Sequence, residues 1–331
     1  LWLDSPQLLG AVVLPADEAQ PLRIELERLR LPAAAPLTAS APAARSDPLA
    51  EVDPRRLPAL DLQVHHLFRG EERLGRLSLR SRPSGSGALV EALDADLHGL
   101  RLQGSLDWQG SGIASRSHYR GSLGGGDLAE VLQAWGYAPS IGSRSFQVEI
   151  DGSWPGSPAM AGLTHFSGSL QLQARRGQLY EVDGGASVLR VFGLLNFDSL
   201  SRRLRLDFSD LLGRGLSYDS IDGRLVGTDG VLLTRGPLVL DGPSTRLELD
   251  GQLDMASERI AARLRVTLPL SNNLPLAALL AGAAPVAGAL FIVDRLVGDR
   301  LSKVASVDYR LDGPWQEPQI SLFGKPAEQA R

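Results

Sequence analysis

The chain has no cysteine among its 331 residues, which excludes disulfide staples, thiolate metal sites and cysteine nucleophiles. Histidine is scarce. The five are His65, His66, His98, His118 and His165, none of them in an HxxxH or HExxH arrangement, so a zinc protease gains no support. Adjacent His65 and His66 are expected on opposite faces of a strand, where they cannot converge on one metal. Aromatic residues make up 5%, too few for a typical sugar-stacking cleft. A basic excess is also missing: 34 basic against 38 acidic side chains leave a net charge of −4, which argues against nucleic acid as a partner. Gly121 and Gly124 to Gly126 lack the following Lys-Ser/Thr of a phosphate loop, and no GxSxG stands at a strand-to-helix turn. Asp94, Asp96, Asp219 and Asp222 read as turn residues. No enzyme class gains support, and no cofactor or metal is called for. A carbohydrate-active β-solenoid would need a clustered carboxylate pair on one exposed face.

The chain is rich in leucine, with 60 against 19 valines and 8 isoleucines, which by propensity favours helix. The 36 glycines and 21 prolines argue the opposite. Periodicity decides, and over most of the chain the period is two. Leu22 to Leu31 alternates apolar with charged residues and reads as a strand. Further strands are expected at Leu60–Val64, Leu74–Leu79, Leu89–Leu93, Leu100–Leu106, Ile113–Tyr119, Phe146–Gly152, Ser169–Ala174 and Gly177–Val182, with turns at Ser84-Gly85, His98-Gly99 and Gln109-Gly110. From Arg203 to Leu268 the alternation is most regular, with connections expected at Asp222-Gly223, Asp229-Gly230, Asp241-Gly242 and Asp250-Gly251. Tyr309–Leu311 and Ile320–Phe323 return to strand.

Two helices are expected. One runs from Asp127 to Trp135, capped by Asp127, with Leu128, Val131, Leu132 and Trp135 at helical spacing and Gly136 ending it. The other runs from Ala186 to Leu195. The prolines at 32, 36, 42, 48, 54 and 58 mark a linker or disordered loop. The blocks Ile150-Asp-Gly-Ser-Trp-Pro-Gly-Ser-Pro158 and Leu311-Asp-Gly-Pro-Trp-Gln-Glu-Pro318 resemble one another, which suggests duplication of a β-unit. No charge falls between Arg265 and Asp294, and Leu274 to Val293 is long enough to span a bilayer. Three readings stand for it: a span, a buried helical hairpin, or an interfacial element continued by the amphipathic stretch Phe291 to Val304. The chain begins at Leu1 without a signal-like run and reads as a piece of something longer.

The block from Arg203 to Gly223, Arg-Leu-Arg-Leu-Asp-Phe-Ser-Asp-Leu-Leu-Gly-Arg-Gly-Leu-Ser-Tyr-Asp-Ser-Ile-Asp-Gly, resembles the AsmA-like family of Gram-negative envelope proteins. Blocks at Ser153–Pro158, Leu189–Phe197, Leu238–Pro243, Leu274–Gly282 and Gly313–Trp315 agree in order, so that the resemblance covers roughly Leu57 to Phe323. It implies an elongated, curved antiparallel β-sheet with a hydrophobic groove, anchored in the inner membrane by an N-terminal helix and reaching across the periplasm. It also implies that phospholipids are carried towards the outer membrane, with this chain as the distal, outer-membrane-facing end.

The expected fold is thus mainly β, with groove strands at 1–31, the linker at 32–58, a β-module with one helix at 59–158, and a C-terminal β-module at 159–331 that carries an apolar helical segment at 274–304. Phe146, Val148, Ile150, Leu170, Leu172, Leu204, Leu206, Phe208, Leu247, Leu249, Leu264, Val266 and Leu268 are expected to line the groove. Leu276, Leu279, Leu280, Val286, Leu290, Phe291 and Val293 are expected to contact a membrane. The expected partners are phospholipid acyl chains and, at the C-terminal end, the outer membrane or one of its proteins. Burial is worth about 0.8 kcal/mol per methylene, so sheltering a fourteen-carbon chain gains on the order of 10 kcal/mol without specific polar contacts. Ordinary core packing of the same residues stands beside this reading, as does a structural module that docks an outer-membrane partner.

Overall fold

The computed structural model describes residues 1–17, 20–31, 46–180, 216–243, 245–269, 291–297, 300–314 and 318–323. Mainly β structure is what they form, with eighteen strands, one α-helix and three short 3-10 turns. Period-two alternation therefore outweighs the helical propensity of leucine, because each strand gains a ladder for its backbone and a common face for its apolar side chains. The chain divides into two compact units, Leu1–Gly126 with Gln147–Leu170, and Asp127–Phe146 with Gln171–Arg331.

In the first unit β1 (Trp2–Asp4), β2 (Leu8–Val13), β3 (Leu22–Leu31), β4 (Leu60–Arg69), β5 (Glu72–Ser84), β6 (Gly87–Leu97), β7 (Leu100–Gln109) and β8 (Arg116–Gly125) pair each with the next. All pairs are antiparallel except β3 with β4. That exception departs from the all-antiparallel expectation and follows from connection length. Tight hairpins reverse the chain, whereas the long segment after Leu31 brings it back to the same end of the sheet. At the β6–β7 hairpin His98 and Gly99 take φ of 51° and 77°, the left-handed pair that a two-residue turn requires.

The hairpin partners β9 (Ile141–Pro155) and β10 (Ser167–Leu179) each contribute residues to both units. In the second unit β11 (Leu216–Thr228) pairs with β12 (Val231–Thr234) and β13 (Leu238–Asp241), and both of these pair with β14 (Arg246–Asp254). β14 pairs with β15 (Arg259–Pro269) and β15 with β17 (Arg300–Pro314), which also carries β16 (Phe291–Val297) and β18 (Gln319–Leu322). The helix α1 (Leu128–Ala134) forms as expected. Asp127 accepts from Ala129 N at 2.9 Å and Ser143 N at 3.1 Å, and Ala129, Val131 and Leu132 are buried.

Several expectations are corrected. The stretch 291–304 is not part of a helical segment but the β16–β17 hairpin, whose register sets Asp294 opposite Lys303 and Val293 opposite Val304. Its β-branched residues favour strand, and β17 finds a long partner in β15. Gly112–Ala114 is a 3-10 turn with Ile113 fully exposed, and the strand begins only at Arg116. The two strands expected at Ser169–Ala174 and Gly177–Val182 are one through Leu179, with Arg176 at φ 47° inside it. Asp222-Gly223 and Asp250-Gly251 are strand interior, because their carboxylates have cross-strand partners. Asp222 takes two bonds from Arg175, at 2.7 and 2.8 Å, and Asp250 accepts from Thr234 Oγ1 of neighbouring β12. Asp94, Asp96 and Asp219 are likewise strand residues. His65 and His66 share the exposed side because the register shifts between Val64 and Leu67, both of which stay buried. The helix expected at 186–195 and the run 274–290 lie outside the described residues.

At the strand glycines Gly104, Gly121, Gly142, Gly152 and Gly177 an aromatic side chain takes the space. The Phe166 ring lies where a side chain on Gly152 would stand, and Phe166 is 3% exposed. Gly152→Ala is therefore expected to displace the ring and destabilise the protein by about 1–3 kcal/mol. Adding Phe166→Leu should recover part of that loss in urea unfolding.

Candidate functional site

Register converts the alternation of each strand into rows that cross a whole sheet on one face. In the first unit one row reads Val12, Ile24, Leu62, Leu79, Leu93, Gly104, Gly121, and the next reads Gly10, Leu26, Val64, Leu77, Ala95, Leu102, Leu123. A third runs Leu22, Leu60, Ser81, Val90, Leu106, Tyr119. In the second unit Ile221, Leu240, Leu247 and Val266 align, as do Leu238, Leu249, Leu264, Tyr309 and Leu322. None of these rows contains a charged residue. An apolar face without a fixed charge is the feature with the clearest functional content.

The opposite face is a lattice of ions. Arg76 meets Asp94 at 3.6 Å, and Asp151 binds His118 at 2.8 Å and Arg120 at 3.0 Å. In the second unit Glu248, Arg265 and Asp308 stand in one register row, and both Arg265 and Arg263 donate to Asp308. Arg263 and Arg310 lie over the Phe323 ring at 4.5 and 5.4 Å. Burial by itself would raise the Asp308 carboxyl, but the Arg265 and Arg263 guanidiniums hold it below the usual range.

Three tyrosines carry hydroxyls on the buried side of the sheets. Tyr119 lies across Gly104 and Gly121 and donates to Gln103 O at 2.8 Å, while Tyr218 donates to Gly142 O at 2.7 Å. Desolvation pushes the phenols of Tyr119, Tyr218 and Tyr309 up to about 12, so all three are neutral at pH 7.

The residues expected to line a groove fall as follows. Phe146 is buried, and Val148 and Ile150 are half-buried, in alternation with exposed Gln147 and Glu149. Leu170 is buried and Leu172 half-buried in β10. Leu247, Leu264 and Val266 are buried and Leu249 is half-buried, all within the second unit's rows, and Leu268 continues β15. Leu204, Leu206 and Phe208 lie outside the described residues, as do Leu276, Leu279, Leu280, Val286 and Leu290 of the membrane-contacting set. Phe291 and Val293 fall in β16. Among the described residues no helix is long and apolar enough to cross a membrane. Nor do three His, Asp or Glu residues gather to hold a metal there.

Sequence reasoning missed what covers part of the first unit's face. In the stretch read as linker, residues 46–58 are described, and Leu49, Val52 and Leu57 pack on a cluster of Leu106, Trp108, Tyr119 and Trp154. The 3-10 turn Pro54–Arg56 lies against β5, β6 and β7, with Pro54 fully buried. A signal was present, since Asp53-Pro54 is a cap followed by proline in the first turn.

The chain matches the family model described as YhdP protein over residues 1–320. It belongs to the YhdP family. The resemblance carried by Arg203–Gly223 and the blocks in order with it therefore holds at the family level. A relative in Escherichia coli K12, named Intermembrane phospholipid transporter YhdP, is 25% identical over 221 residues, which are 67% of this chain and 17% of that protein. The chain thus spans less than a fifth of this YhdP relative's length. No solved structure matches it.

The ion lattice makes a pH-dependent prediction. Asp308 is ionised and depressed in the folded state, so its stabilisation is present above the unfolded carboxylate value of about 4 and is lost as pH falls through the lower folded value. Asp308→Asn should cost about 2 kcal/mol at pH 7. Denaturant curves should show that difference shrinking below about pH 4.

Proposed function

We propose that the chain is a non-enzymatic segment of an intermembrane phospholipid transporter in the Gram-negative periplasm, the full-length protein being anchored in the inner membrane. Acyl chains are sheltered in a groove along the apolar face of each unit's sheet, and this segment serves the end nearest the outer membrane. The observation that carries this reading is the set of charge-free apolar rows crossing each unit's sheet. Family membership and the name of the Escherichia coli relative support the same cargo. Leucine suits such a wall, since it supplies flexible apolar area and no charge that would trap a headgroup. Residues Leu274–Val293, uncharged throughout, are the proposed contact with the outer membrane.

One observation favours a second reading. In the first unit Leu49, Val52 and Leu57 fill part of the apolar face with the chain's own side chains. A face so filled suits a structural module that docks an outer-membrane protein and carries no lipid.

Native mass spectrometry with lipid extraction separates the two. Phospholipid is expected to co-purify with the wild-type chain. Leu249→Asp, which sets a carboxylate in the second unit's rows, should lower occupancy on the order of tenfold with the circular dichroism spectrum unchanged. Glu248→Ala, on the opposite face, should leave lipid bound. Absence of lipid from the wild type, or its full retention in Leu249→Asp, would count against the transport reading.

A further inference from the structure

We infer that residues 47–57 are a displaceable cover over an acyl-chain site in the first unit, a site lined by Val90, Leu93, Leu102, Leu106, Trp108 and Trp154. This inference rests on the transport reading and adds where lipid is held and what keeps it out. The segment makes no sheet ladder. Every backbone hydrogen bond described for it is internal: Ala50 N to Asp47 O, Val52 N to Leu49 O, Arg56 N to Asp53 O and Leu57 N to Pro54 O. Lifting it therefore breaks no strand pairing.

Beyond apolar packing, one side chain among the described residues hydrogen-bonds it to the turn that follows β9. Asp47 accepts from Ser157 Oγ at 2.6 Å and from Ser157 N at 2.8 Å, and Ser157 is completely buried. The surface beneath has its own hydrogen bonds: Trp108 Nε1 donates to Ser115 Oγ at 2.9 Å, Trp154 Nε1 to Ser157 O at 3.0 Å, and Ser117 Oγ to Gly156 O at 3.0 Å. Uncovering leaves no indole donor orphaned; the polar groups it frees are Ser157 N and Oγ, which water can then reach, and the rest of the exposed area is apolar. The aliphatic carbons that Leu49, Val52 and Leu57 bury are comparable with a stretch of acyl chain, so exchange of one for the other is close to balanced. The same rows continue from β6 back to β2, where the cluster of Leu26, Val64, Leu67 and Leu74 packs with Leu8, Ile24, Leu29, Leu62, Leu77 and Leu97, all from the sheet itself. A chain entering under the cover thus joins a lane already apolar.

Because the chain lacks cysteine, Asp47→Cys with Ser157→Cys creates a unique thiol pair, which a short thiol-specific reagent bridges reversibly. With Trp2, Trp135 and Trp315 changed to Phe, the fluorescence of Trp108 and Trp154 reports the site. The probe is vesicles of a phosphatidylcholine brominated in one acyl chain. The bridged protein is expected to resist quenching, and the same protein after reduction to be quenched on the order of tenfold more, because the covalent tether holds the cover down while the reduced pair, which also lacks the Asp47 carboxylate, leaves only apolar packing to hold it. Comparing two states of one variant removes misfolding as an explanation. Equal quenching in both states, no quenching in either while phospholipid is bound by native mass spectrometry, or failure of the pair to bridge would each overturn the cover and leave transport standing. No quenching together with no bound phospholipid would overturn both.

Discussion

A sheet with one apolar face has to have that face covered, and much of this structure is a response to that requirement. Backbone pairing forces the strands together, and a period of two then sends leucine after leucine to the same side. Leu247, Leu249, Leu264 and Val266 cannot choose a different environment once β14 and β15 are in register. Where neighbouring side chains suffice, they bury one another, as Leu26, Val64, Leu67 and Leu74 do. At Gly104, Gly121, Gly142, Gly152 and Gly177 a tyrosine or phenylalanine ring takes the space. Over Trp108 and Trp154 a segment with no strand of its own supplies the cover.

Register depends in turn on the other face. Arg263 and Arg265 converge on Asp308, and Arg175 takes both oxygens of Asp222. Buried Asp308 depends on its two arginines, whereas exposed pairs contribute modestly. Their larger effect is on specificity, because a slip of one residue would bury these charges and expose the leucines opposite. The ionic face thereby keeps the apolar face free of charge, which is the property a lipid path needs.

These arrangements have a consequence for function. A surface held only by apolar packing exchanges one apolar occupant for another at little cost, whereas a surface held by backbone ladders does not. Apart from the Asp47–Ser157 bonds, the cover at 47–57 belongs to the first kind, and the strands beneath it to the second. The proposed transport would use both, a fixed wall and a removable filling.

The strands, the capped helix at 128–134, the apolar and polar sides of most strands, and the family were legible in the residues, because alternation, Asp capping and the Arg203–Gly223 block are local signals. Less legible were features whose cause is distant in sequence. Whether Asp222 and Asp250 sit in turns depends on Arg175 and on Thr234, which only the fold brings beside them. The shared face of His65 and His66 follows from a register shift that alternation alone does not encode. Likewise Asp47 and Leu49 read as linker because their partners, Ser157 and Trp108, lie far along the chain. The sequence by itself determined that this protein would build one-sided sheets, since side-chain period is a property of the strand. What covers each side was decided only by tertiary structure, since burial depends on which distant groups meet.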